Sequence, residues 1–190
     1  KAKGQIDEAI KAYKEALRID PEDGYAYNNL GVALCNKGNF DEAIIAYRES
    51  IRINPEDVYT HNNLGLALYN KGHFDEAIKS YKEAIRIDPE YSEAYNNLGV
   101  VLDNKGQFDE AISAYRKTIR INPEYVRAHF NLGVVFCKIG QLDEAIESYR
   151  DAIRIDPEHA DAYYNLGLAL KAKGHFDEAI TAHKEAIRVN

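Results

Sequence analysis

The chain has 190 residues, 45% of them hydrophobic, and sets 24 Lys and Arg against 31 Asp and Glu for a formal charge of −7. That apolar share suffices for a folded chain, while the negative balance argues against a nucleic-acid backbone as partner, which would need basic stripes. No apolar run approaches the roughly 20 residues needed to cross a bilayer and no secretion leader is read, so a protein free of membranes and resident in the cytoplasm is expected.

Five prolines, Pro21, Pro55, Pro89, Pro123 and Pro157, stand 34 residues apart in every case. A fixed period of that length marks a chain that stacks one supersecondary unit. Residues 1–23 match only the second half of the unit; 24–57, 58–91, 92–125 and 126–159 are full copies, and 160–190 stops just short of its proline. Five antiparallel helix pairs preceded by one unpaired helix are predicted, an all-α fold.

In chain order, each unit opens with a helix such as 58–71, which places Thr60, Leu64, Ala67 and Leu68 on one side and ends at Gly72, where a left-handed turn residue is expected. The second helix places Phe74, Ala77, Ile78, Tyr81, Ala84, Ile85 and Ile87 at spacings of three and four, with charges on the other face. Asp75 and Glu76 in its first turn and Arg86 in its last suit the helix dipole, and Asp75 is placed to cap the N-terminus. Asp88-Pro89 ends it. Gly31, Gly65, Gly99, Gly133 and Gly167 recur inside first helices, where glycine costs about 1 kcal/mol relative to alanine. Together with the recurring Ala43, Ala77, Ala111, Ala145 and Ala179, they predict close contact between the two helices of a unit.

The combined pattern NLG, then G-x-F-D-E-A-I, then Y-x-x-A-I-x-I-x-P resembles the tetratricopeptide repeat over essentially the whole chain. One departure is that Tyr27, His61, Tyr95, His129 and Tyr163 stand where the family typically has Trp. The resemblance implies an α-solenoid wound as a right-handed superhelix, with partners held in its concave groove.

Catalytic and metal chemistry find no support in the spacing. Cys35 and Cys137 share a repeat position three units apart, about 20 to 30 Å at usual helix separations, so no disulfide joins them. Both thiols are expected to be free, to face the groove and to react with thiol reagents. No two of the six histidines fall three or four apart on one helix, so no metal or other cofactor is expected. His61 and His129 read as packing residues. The Asp-Glu pairs mark helix starts.

The exposed stripe of the first helices carries the functional reading. Tyr59, Asn62, Asn63, Leu66, Tyr69 and Asn70 fall on the side not used for packing on the second helix. Its most regular element is Asn29, Asn63, Asn97, Asn131 and Asn165. An Asn side chain offers one acceptor and two donors, so a ladder of them can pair with the backbone of an extended peptide. The ladder is similar to that of the repeat superhelix of O-GlcNAc transferase. Tyr25, Asn28, Tyr59, Asn62, Tyr69 and Asn96 surround it with Tyr and Asn, a composition suited to adaptable protein contacts. Alternatively, each Asn bonds within its own helix or to the neighbouring repeat. Five rungs about 9 Å apart would take an extended peptide of about 11 residues. Replacing Asn63 and Asn97 by Ala is expected to weaken binding with little change in stability.

The carboxylate clamp that the family uses for chaperone tails is disfavoured. Its basic positions read Asn28, Asn62 and Asn96 in the first three units, and Arg127 with Lys138 would make an incomplete version. A noncatalytic scaffold for protein or peptide segments is therefore expected. Its alternatives are the substrate-recruiting arm of an enzyme and an array that associates end to end. The lack of methionine and the start in mid-repeat predict an excerpt of a longer protein, with Ile6, Ile10, Tyr13 and Leu17 at one end, and Phe176, Ile180 and Ile187 at the other, partly exposed.

Overall fold

A computed structural model describes residues 2–190, and among these it contains eleven helices and no strand. They are α1 (Ala2–Ile19), α2 (Gly24–Lys37), α3 (Phe40–Ile53), α4 (Val58–Asn70), α5 (Phe74–Ile87), α6 (Ser92–Asn104), α7 (Phe108–Ile121), α8 (Val126–Lys138), α9 (Leu142–Ile155), α10 (Ala160–Ala172) and α11 (Phe176–Arg188). Two compact units divide within α6, after Asn97. In the first, α2 packs on α3 and α4 on α5, while α1 covers α2 and α3 covers α4. In the second, α8 packs on α9 and α10 on α11, with α7 against α8 and α9 against α10.

The turn inside each pair follows from one glycine. Gly72 adopts φ 79°, a conformation that any side chain would strain. Its N–H donates to the Tyr69 carbonyl at 2.8 Å and the next N–H, of His73, donates to the Leu68 carbonyl at 2.9 Å, so the last carbonyls of α4 are satisfied.

The starts of α2 and α4 are capped by aspartates that precede them, whereas α10 is capped by His159 Nδ1 and α8 by no side chain. Asp57 has extended backbone (φ −82°, ψ 101°), and its carboxylate accepts from the Tyr59 N–H at 3.1 Å and from the Thr60 hydroxyl at 2.6 Å. Asp23 does the same for α2 through the Ala26 N–H at 2.9 Å. The expected cap at Asp75 is corrected: the N-cap of α5 is His73, which makes no side-chain capping bond, and Asp75 lies inside the first turn. There it still meets the positive end of the helix dipole.

The interior glycines have a single cause. A Cβ added to Gly65 would lie 2.6 Å from Cε1 of Tyr81, a fully buried ring that lies flat on the α4 backbone. Tyr47 rests on Gly31, Tyr115 on Gly99 and Tyr149 on Gly133 in the same way. The recurring alanines are also buried. In the last pair the ring is that of His183, facing Gly167.

His61 and His129 are packing residues, as expected. Both are buried, and their Nε2 atoms lie 2.8 Å and 2.9 Å from the carbonyls of Pro55 and Pro123. A carbonyl only accepts, so each ring carries its proton on Nε2. At the ends, Phe176, Ile180 and Ile187 are exposed as expected, and Ile6, Tyr13 and Leu17 are half-buried. Ile10 is a correction: it is buried, because α2 packs on α1.

Candidate functional site

The first helices of the first unit present a repeated exposed stripe. Tyr25 is 71% exposed and Tyr59 61%, one period apart. Val32 and Leu66, seven residues further along the same helices, are exposed as well. Because positions i, i+4 and i+7 share one face of a helix, Tyr25, Asn29 and Val32 form one row and Tyr59, Asn63 and Leu66 the next. Asn29 is exposed, while Asn63 and Asn97 are half-buried. The Tyr59 ring is braced edge-on against Tyr91 at 5.6 Å between centroids. The Tyr69 ring, half-buried, leans on Phe74 at 5.8 Å.

The asparagines do more than line that stripe. Asn63 Nδ2 donates to Asn28 Oδ1 at 3.1 Å, and Asn97 Nδ2 donates to Asn62 Oδ1 at 3.0 Å, so these two ladder residues clasp an Asn of the preceding repeat. Asn62 is only 2% exposed and Asn96 is also buried. The expectation that these two lie on the open stripe is corrected: Asn62 is drawn in between α4 and α6, and the Asn96 amide is turned to its neighbour Asn97. A buried amide needs partners, and among the described residues no buried side-chain nitrogen or oxygen lacks one. In Asn63, Oδ1 and the second N–H remain beyond the clasp; in Asn97 the second N–H remains, while Oδ1 accepts from Asn96 Nδ2 at 3.4 Å.

At Asn165 the clasp is absent. The residue to which Asn165 would reach is Phe130, which accepts no hydrogen bond, and Asn165 Nδ2 instead donates to the Asp161 carbonyl one turn earlier at 2.8 Å. Phe130 stacks on His159 at 5.1 Å. Asn131 is half-buried in the second unit. Lys138 donates to both oxygens of Asp103 at 2.7 Å, which removes it from any carboxylate clamp with Arg127.

The thiols are free, as expected, but neither is open. The Tyr47 hydroxyl lies 3.8 Å from Cys35 Sγ and the Tyr149 hydroxyl 3.7 Å from Cys137 Sγ. Burial pushes the Cys35 thiol up from its ordinary value, against a smaller opposing effect of the Tyr47 hydroxyl, so the reactive thiolate is scarce. The expected ready reaction with thiol reagents is revised for Cys35. Burial also holds the phenols of Tyr47, Tyr81 and Tyr149 neutral well above the usual tyrosine range.

Sequence models of the TPR repeat match residues 1–38, 33–72 and 135–174, and tetratricopeptide repeat models match 62–125, 114–147 and 160–190. Among solved structures, MamA is 35% identical with a TM-score of 0.78, the match covering 84% of this chain and 94% of that one. MamA of Desulfovibrio magneticus is 23% identical over 87% of this chain and 94% of that one, with a TM-score of 0.79. YrrB, described as a TPR protein with an unusual peptide-binding site, is 24% identical over 95% and 93%, with a TM-score of 0.74. The last two likenesses carry the fold alone. No curated protein sequence matches. The fold is the expected all-α solenoid of paired helices, and no helix among the described residues is long and apolar enough to cross a membrane.

Proposed function

Because the chain belongs to the tetratricopeptide repeat family, we propose that it is a noncatalytic protein-interaction scaffold that holds a partner segment along the exposed rows of α2 and α4. The observation that carries this reading is the repetition of Tyr25 and Val32 by Tyr59 and Leu66. Two rings and two aliphatic side chains are left in solvent at matching positions of successive helices. Tyrosine supplies large contact area at low conformational cost, and the ring end remains able to donate and accept.

The asparagines contribute what the clasp leaves over. Asn29 presents a whole amide, Asn63 one acceptor and one N–H, and Asn97, whose Oδ1 accepts from Asn96, one N–H to an extended backbone. Asn62 and Asn96 act behind them, by fixing their orientation. Asn28 and Tyr69 complete the proposed peptide-binding set in this unit, and Asn131 and Asn165 are the corresponding ladder positions proposed for the second. That YrrB is described as binding peptide is consistent with this reading.

The test is selection of ten- to twelve-residue peptides from a displayed library against this chain, followed by calorimetry on the selected sequences. Tyr25→Ala with Tyr59→Ala should weaken binding at least tenfold, the ordinary effect of losing aromatic anchors, about 2 kcal/mol each. Selected peptides that bind the double variant as tightly as the parent would remove the stripe from the site.

A further inference from the structure

Successive layers of the array are cross-linked by ion pairs at fixed offsets. Lys37 holds Asp7 and Lys71 holds Asp41, both at 2.7 Å, and Lys173 holds Asp143. Arg48 holds Glu76 at 2.9 Å and Arg150 holds Glu178 at 2.7 Å. Arg52, Arg86 and Arg188 each pair with an acid three residues earlier in their own helix and another in the preceding repeat.

All three devices fail together at α7. The lysine position is occupied by Ile139, so Asp109 has no cation at its offset. Arg116, whose arginine counterparts Arg48 and Arg150 each take a glutamate, lies instead 5.8 Å over the ring of Phe136, a residue that is Leu in every other copy. Arg120 has Lys117 rather than an acid three residues earlier. Among the described residues, Asp109, Arg120 and the Glu144 carboxylate have no ion pair, and the Arg116 guanidinium has only the ring. The outcome is an open cleft of about 650 Å³ between α7 and the α8–α9 corner, lined also by Lys117. Half-buried Ile139 is its accessible apolar surface, and the buried Phe136 lies behind Arg116.

We propose that this cleft is a second binding site, for a peptide segment of another protein that sets an acidic and a basic side chain around an apolar one. Arg116 and Arg120 take the acid, Asp109 and Glu144 take the base, and the apolar side chain rests on Ile139. Guanidinium groups favour carboxylates through paired hydrogen bonds. Both signs of unpartnered charge in one cleft favour a mixed-charge segment over a simple anion, which the two carboxylates repel. The assignment stands on α7 to α9 alone and is independent of the stripe on α2 and α4.

The probe is the capped peptide Glu-Asp-Leu-Leu-Lys-Arg, titrated into the isotope-labelled chain and followed by amide shifts. Shifts should map to α7 and the α8–α9 corner and not to α2 or α4. Arg116→Gln with Arg120→Gln should weaken binding by roughly tenfold or more, as for lost hydrogen bonds to charged groups. Ile139→Lys should restore the lysine–Asp109 pair, close the cleft and abolish the shifts while leaving the fold intact. Arg52→Gln, a paired position, should change nothing. The proposal is overturned if the peptide produces no shifts there at millimolar concentration, or if Ile139→Lys binds it unchanged. It is equally overturned if a Gln-Asn-Leu-Leu-Gln-Gln peptide binds as well, or if inorganic phosphate or a phosphoserine peptide binds more tightly.

Discussion

Helices α9 and α11 share most of their sequence pattern and differ in their surroundings. Ile146 on α9 is 7% exposed beneath α10, whereas Ile180, at the same repeat position on α11, is 54% exposed. The apolar stripe of a second helix is thus only half a core. Its own first helix covers one side, and the first helix of the following pair must cover the other. Stability in this architecture belongs to the contact between layers as much as to the helix.

The sharpest way to break that comparison is a matched pair of truncations. Ile146→Ala should cost about 2–5 kcal/mol, as for buried isoleucines generally, and Ile180→Ala within roughly 0.5 kcal/mol, as at surface positions. Urea unfolding midpoints measure both, and equal losses would mean that α10 contributes nothing to α9.

A smaller contrast concerns the ladder. Asn97→Ala leaves the buried Asn62 carbonyl without its donor and should cost about 1–3 kcal/mol. Asn165→Ala, where the amide only bonds its own helix, should be nearly neutral. Thermal melts decide it; this replaces the expectation that Asn63 and Asn97 can be changed with little effect on stability.

At alkaline pH the layers should separate again. The Tyr149 phenol is held neutral by burial, so its folded pKa is raised above its unfolded value near 10. Its contribution is complete below about pH 10 and is lost as pH rises beyond that. Tyr149→Phe should shift the alkaline fall in helical circular dichroism to higher pH, whereas His183, in the same position of the last pair, has no phenol to remove. An unchanged alkaline transition would show that ionisation of Tyr149 is not what unfolds the layer.

The smallest effect is kinetic. Amides of α11 should exchange faster than those of α9, because an uncovered terminal helix frays without global unfolding. Equal protection, measured by exchange and mass spectrometry, would require something to cover Phe176 and Ile180.

The period, the helices and the glycine turns were legible because each depends on residues close in sequence. Gly72 announces its own φ, and the stripe of α5 announces its buried face. What depended on the angle between successive layers was not legible. Asn62 and Asn63 are neighbours on one helix turn, yet one is buried and the other half-open, a difference set by where the next first helix passes. The caps were misread because Asp57 lies beside the Pro55 turn and reads as loop, whereas Asp75 has the cap's composition two residues too late. Mutual replacements such as Ile139 with Phe136 are visible in the sequence only once the ion pairs of the other repeats show what those positions usually do.

The seating of a tyrosine ring on a glycine has a consequence for assembly of the chain. Four such seats are nearly interchangeable, so a first helix displaced by 34 residues meets a ring that fits it as well as its own. Repetition therefore carries shape without address, and mispaired or exchanged helices are the characteristic error of such arrays during folding. The address is written where the copies disagree. Phe130 refuses the clasp, Ile139 refuses the aspartate, and His183 takes the place of the last tyrosine, so a slipped register is penalised at the places where the pattern is broken.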